Sequence, residues 1–133
     1  MSKHANETSS LKLFFEPKSA AIIGASRTPG KLGYNILSNL IDLGFKGKLY
    51  PVNPEATEIL GLKAYPRVDL IPEDLDVAVI ATPASTVLEI MESCARKRVK
   101  GVVIISSGFS EEGNTQLEEK MFRIAKEAGI RII

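Results

Sequence analysis

The chain has 133 residues, 44% hydrophobic and 25% charged, which fits one ordinary globular domain. Its formal net charge is +1, so no global positive field argues for nucleic acid and any anion site must be local. A single cysteine, Cys94, excludes an internal disulfide and a cysteine-rich metal centre, and no apolar run reaches the roughly 18 residues that span a membrane.

Residues 1–10 are polar, lack the apolar core of a signal peptide, and read as a disordered leader; a cytoplasmic protein is the expectation. They hold His4, the only histidine, which argues against histidine-based catalysis within this chain. Residues 11–15 suggest one helical turn packed on the domain edge and ended by Pro17. Residues 20–23 are an apolar run without alternation, the pattern of a strand buried on both faces, and a first strand is predicted over 19–23. A helix is predicted over 31–43, with Leu32, Ile36 and Leu40 on one stripe, Leu37 and Ile41 beside it, and Gly44 as a left-handed cap. A second strand covers 47–52 and turns at Asn53-Pro54.

Further along, Gly61 interrupts 57–65, leaving 62–65 as a short strand, and 66–71 suggests a helical turn. Residues 76–81 form the clearest strand after the first. Thr82 is then the expected N-cap and Pro83 the first residue of a helix reaching 98, with Val87, Met91 and Cys94 on its core face. A strand at 102–105 leads into a crossing at 106–109. The last helix, 114–128, is expected to bury Leu117, Met121, Ile124 and Ala128, with Gly129 as its cap and a final strand opening at 130–133. Alternating strands and helices predict a Rossmann-like, doubly wound α/β fold, its mostly parallel sheet covered by helices on both faces. Because the apolar strand at 130–133 has no turn or polar tail, the chain reads as the front part of a longer protein or a domain cut at its edge.

In such a sheet, ligands lie beyond the carboxyl ends of the strands. Those ends here offer small, hydroxyl and turn residues: the glycine loop 24–33, then 52–54, 82–84 and 106–109. None supplies a carboxylate pair or a nucleophile with an adjacent base, so the crevice reads as a binding site without catalytic residues. The glycine loop feeds a strand into a helix, which aims backbone N–H groups and the positive end of the helix dipole at an anion. It is not a P-loop, since Ala25 replaces the first glycine and Leu32 the magnesium-binding hydroxyl. A dinucleotide fingerprint is weakened by Ser26 and by Asn53, which stands where an acid is expected at the end of the second strand. An adenine-containing phosphate ligand, met by Arg27 and Lys31, fits the longer loop best. Gly30 is the position where added bulk is expected to crowd the cradle.

Five segments together carry a specific resemblance. FFEPKS (14–19), IGASRTPGKLG (23–33), YPVNP (50–54), AVIATPA (78–84) and IISSGFSE (104–111) closely resemble the N-terminal CoA-binding domain of NDP-forming acyl-CoA synthetases. That family includes ADP-forming acetyl-CoA synthetase and, more distantly, the alpha subunit of succinyl-CoA synthetase. The resemblance covers about 11–133 and implies a domain that binds coenzyme A and, alone, catalyses nothing. It implies that Gly24, Ser26, Arg27, Thr28, Gly30, Lys31 and Gly33 surround the CoA phosphates. Val52, Asn53 and Pro54 would lie by the adenosine, Thr82 and Pro83 would line the crevice, and Ser107, Gly108 and Phe109 would approach the pantetheine arm.

No metal is implied in this domain. The implied partners are CoA and the remaining synthetase domains or subunit, which carry the phosphorylated histidine and the nucleotide-grasp site; nucleic acid and membrane are not. Two alternatives stay open: an NAD(P)-binding or ligand-sensing Rossmann module, and the regulatory CoA-binding domain of a protein lysine acetyltransferase.

Overall fold

The computed structural model describes residues 14–105 and 115–133; the leader at 1–10, His4 and the crossing at 106–109 lie outside them. Among the described residues, five strands form one sheet: β1 (Ser19–Ile23), β2 (Lys48–Val52), β5 (Val77–Ile80), β6 (Gly101–Ile104) and β7 (Arg131–Ile132). Their order is β2-β1-β5-β6-β7, and every pair is parallel. Two more strands, β3 (Glu58–Ile59) and β4 (Leu62–Lys63), make a separate hairpin. Its turn residues Leu60 and Gly61 both have positive φ, at 50° and 79°, as a tight hairpin requires.

Among the described residues, three helices cover the sheet: α1 (Leu32–Asp42), α2 (Val87–Lys97) and α3 (Thr115–Ala128). The alternation of β1 decides which helix meets which face. Ile22 joins Leu37 of α1, Ala25 and the hairpin residue Ile59 in one cluster. Ala21 and Ile23 join Val87, Met91 and Cys94 of α2 and Met121 of α3 in the other. β1 is buried along its whole length, as its unbroken apolar run requires.

Hydrogen bonds fix the register at the opening of the sheet. The Ser19 hydroxyl donates to the Asp74 carbonyl at 3.0 Å and accepts from the Asp76 amide at 2.9 Å. Asp76 in turn accepts from the Lys18 amide at 2.8 Å and pairs with Lys100 at 3.2 Å. The start of β1 is thereby tied to the start of β5.

Several expectations need correction. Thr82 is not an N-cap. Pro83 is extended, a single 3-10 turn (Ala84–Thr86) follows, and α2 begins at Val87. The Thr86 hydroxyl lies 2.7 Å from both Thr82 Oγ1 and the Pro83 carbonyl, so it braces the turn that Thr82 was expected to cap. In α3, Ala128 is exposed and Ala125 is buried instead, because the stripe through Met121 continues four residues on to Ala125. Phe15 belongs to a helical turn but is 82% exposed, so it does not pack on the domain edge.

Cys94 is fully buried, and desolvation, followed by the nearby Asp69 carboxylate, pushes its thiol from an ordinary 9.0 up to about 12. The raised value favours the neutral thiol in the folded state. That contribution to stability is complete below about pH 9 and is lost as pH rises toward 12. At pH 8, a thiol reagent will therefore label native protein at least about a hundredfold more slowly than denatured protein, a difference that a colorimetric disulfide-exchange assay reads directly.

Candidate functional site

From β1 the chain moves outward to β2; from β5 it moves the opposite way to β6. The strand order therefore reverses between β1 and β5, and the loops leaving their carboxyl ends part to open a crevice. The first of these loops begins at Gly24, where φ is +95°. A Cβ at Gly24 would stand 2.8 Å from the Ala81 carbonyl oxygen and 2.9 Å from Thr82 Cγ2, so only glycine lets the two loops come this close.

Gly33, in the first turn of α1, makes a still tighter approach. A Cβ there would run into the carbonyl of Gly24 and would stand 2.9 Å from Ala25 Cα. The helix N-terminus is thus pressed against the exit of β1. Lys31, at its N-cap, supplies no side-chain hydrogen bond, and no acid occupies the first turn, so nothing in that turn competes with an incoming anion. Between them, Ser26 Oγ accepts from the Thr28 amide at 3.0 Å, and Arg27, Thr28, Gly30 and Lys31 are exposed. Gly30 has φ +93° but open space around it. The close approach expected at Gly30 belongs to Gly33; Gly30 serves the turn's conformation.

Asn53 joins this loop to the end of β2. Its Nδ2 donates to the Ala25 carbonyl at 2.9 Å, while its Oδ1 accepts from the amides of Glu55 and Ala56, each at 2.8 Å. Its own amide donates to the Tyr65 carbonyl at 2.9 Å. Three of the side chain's four hydrogen-bonding positions go into holding two loops in register.

Gly24, Val52, Pro54 and Thr82 line one cavity of about 250 Å³ at the strand ends, together with Arg67 and Glu89. Pro83, the half-buried Ser26 and the exposed residues 27–31 do not line it, and Ser107, Gly108 and Phe109 lie outside the described residues. Larger hollows occur elsewhere. One, of about 600 Å³, is bounded by Phe15, Lys18, Phe45 and Gly47 at the amino ends of β1 and β2, away from the crevice. Among the described residues, no group of three or more His, Cys, Asp or Glu side chains is placed to hold a metal, and no helix is long and apolar enough to cross a membrane.

Arg67, Glu89 and Ser93 were not anticipated as lining residues. The missing clue for Arg67 is a single parallel bridge. Tyr65 pairs with Val52 on the outer side of β2, which extends the sheet by one position and carries the next residues to the strand-end rim.

An all-parallel sheet wound in both directions, with a glycine-built helix start at its reversal point, defines a Rossmann-like nucleotide-binding class of domain. The family model described as a CoA binding domain matches residues 18–133, and the chain belongs to that family. It is 56% identical over 124 residues to the acetate–CoA ligase (ADP-forming) II of Archaeoglobus fulgidus, covering 92% of this chain and 18% of the relative. Against the alpha subunit of acetate–CoA ligase (ADP-forming) I of Pyrococcus furiosus, identity is 46% over 130 residues, covering 93% and 28%. The dinucleotide-forming acetyl-coenzyme A synthetase 1 of Ca. Korarchaeum cryptofilum, solved with phosphate and ADP, superimposes with a TM-score of 0.89 at 47% identity, over 92% of this chain and 26% of that one. The chain thus spans between a sixth and a third of the length of the relatives it matches.

Proposed function

We propose that this chain supplies the CoA-binding module of an ADP-forming acyl-CoA synthetase and lays CoA across the carboxyl ends of the sheet. The observation that carries the reading is the backbone contact between Gly24 and Gly33, which brings the first-turn amides of α1 to the exit of β1. A diphosphate fits there, met by the loop of Gly24, Ser26, Thr28, Gly30 and Gly33 and by the cations Arg27 and Lys31. The adenosine follows the floor made by Val52 and Pro54, with Asn53 holding that floor in place. The pantetheine arm leaves past Thr82 and Pro83 toward Ser107, Gly108 and Phe109.

The chemistry belongs elsewhere in the enzyme. In the reaction read from the family, inorganic phosphate attacks the acyl-CoA thioester and releases the CoA thiol, and the acyl phosphate so formed passes its phosphoryl group through a histidine to ADP, freeing the carboxylate. His4 is the chain's only histidine, so the phosphorylated residue and the nucleotide-grasp site are assigned to other domains or a partner subunit. This module fixes the thiol's tether, which converts an encounter between two solutes into one within a complex.

Calorimetric titration of the chain with CoA, NAD and ATP side by side tests the reading. CoA should bind most tightly; a clear preference for NAD would replace this function with a dinucleotide-binding one. The double substitution Arg27→Ala/Lys31→Ala should weaken CoA and flatten the dependence of its affinity on salt, because two exposed cations no longer meet phosphate. An unchanged salt slope would mean that both side chains point to solvent.

A further inference from the structure

The strand-end cavity carries two charged side chains, Arg67 and Glu89, and they come from different walls. Glu89 belongs to the first turn of α2, beside Thr86. Arg67 follows Tyr65, whose bridge to Val52 sets it at the adenosine end of the proposed CoA path. Between them the lining is mainly apolar, with Val52, Pro54, Val68 and Ile90 suited to a base and not to an anion. A phosphate entering this cavity is repelled at the α2 wall and attracted at Arg67.

Arg67 is also aimed. Its Nε pairs with Asp69 Oδ1 at 3.4 Å, and Asp69 Oδ2 pairs with Arg96 Nε at 3.8 Å. Arg96 is itself fixed, donating from Nη2 to Ser93 Oγ at 2.9 Å. Two guanidinium groups thus share one carboxylate, so the cluster keeps a net positive charge. The pairing through Nε leaves the outer Nη edge of Arg67, a two-pronged donor suited to a phosphate monoester. The Asp69 contact is longer than a charge-assisted hydrogen bond, and Asp69 Oδ1 accepts none, so the carboxylate steers the guanidinium without occupying its donors.

We propose that Arg67, set at the adenosine end of the strand-end cavity and oriented by Asp69, binds the ribose 3′-phosphate and so makes the site select CoA over nucleotides that lack this group. The inference rests on the CoA reading above and adds the residue that discriminates among adenine nucleotides. Arg27 and Lys31, on the glycine loop, serve the diphosphate that CoA and dephospho-CoA share.

The test is a pair of dissociation constants, for CoA and for dephospho-CoA, measured by calorimetry on the wild-type chain, Arg67→Ala and Arg27→Ala. Arg67 has a side chain 62% exposed, so its replacement leaves the core intact, which a melting curve checks. The wild type should prefer CoA by about tenfold or more, as expected for charge-assisted hydrogen bonds to one phosphate. Arg67→Ala should abolish that preference by weakening CoA alone, with dephospho-CoA held within about twofold. Arg27→Ala should weaken both ligands and keep their ratio. A wild-type preference that survives in Arg67→Ala overturns the assignment of Arg67 and leaves the CoA site standing. A wild type that binds neither ligand overturns the CoA reading and this inference together.

Discussion

Gly33→Ala will lower the melting temperature by about 10 °C and remove measurable CoA binding. Two effects of opposite sign compete at this position. Within a helix, replacing glycine by alanine ordinarily stabilises by about 0.5–1 kcal/mol. Here the new methyl group would occupy the space of the Gly24 carbonyl, with Ala25 Cα 2.9 Å away, and both obstacles are backbone. Backbone that is itself packed on Ala81 cannot step aside, so α1 must lift off β1, and overpacking of this kind costs about 3 kcal/mol. The steric cost wins by a margin that corresponds to the predicted shift in a domain of this size. Gly30→Ala is the matched control. It meets no neighbour and suffers only from a positive φ, so its loss should be about 1–2 kcal/mol. Equal melting temperatures for the two variants would show that the Gly24–Gly33 contact does not constrain the helix.

Asn53→Ala will cost about 2–3 kcal/mol in denaturant unfolding and about tenfold in CoA affinity. The side chain makes three hydrogen bonds to backbone, to Ala25, Glu55 and Ala56, each worth about 1 kcal/mol net. Their loss frees the segment after β1 from the segment after β2, so the two ends of the proposed ligand lose their fixed spacing. Asn53→Asp separates structure from recognition. It keeps both acceptor bonds but turns an oxygen toward the Ala25 carbonyl, and it supplies the acid that dinucleotide sites use for the ribose. A drop in stability without gained NAD affinity is expected. A gain in NAD affinity would place this residue against ligand and not against the loop.

The order of the elements and the doubly wound parallel sheet were legible because β1, β5 and β6 are apolar runs separated by helical stripes and punctuated by Gly44, Gly61 and Gly129. Each of these glycines adopts positive φ. What the pattern could not show was proximity between distant backbones. Gly30 and Gly33 look alike in sequence, yet one stands in open space and the other against the Gly24 carbonyl, and only the angle of α1 decides between them. Asn53 was readable as a departure from a ribose-binding acid, but its bond to Ala25 joins residues 28 positions apart. Arg67 escaped notice because its placement depends on one bridging residue, Tyr65, and a single bridge has no alternation to detect. Thr82-Pro83 carried a sound capping signal that was overridden when Thr86 gave the chain an extra turn before α2.

β1 comes before the other strands of the sheet in this sequence, yet its second neighbour is β5. β1 lies between β2 and β5, and its residues 20–23 pair with 77–80, so more than half the domain must be synthesised before both its edges are satisfied. Until then a short apolar strand with one open flank is held only by α1 and β2. Such long-range parallel pairing slows folding and prolongs exposure to wrong partners. The geometry that places the glycine loop at the centre of the sheet thus makes the nascent chain dependent on late translation, and a stalled ribosome carrying only the first third of the domain would display a sticky, half-built intermediate.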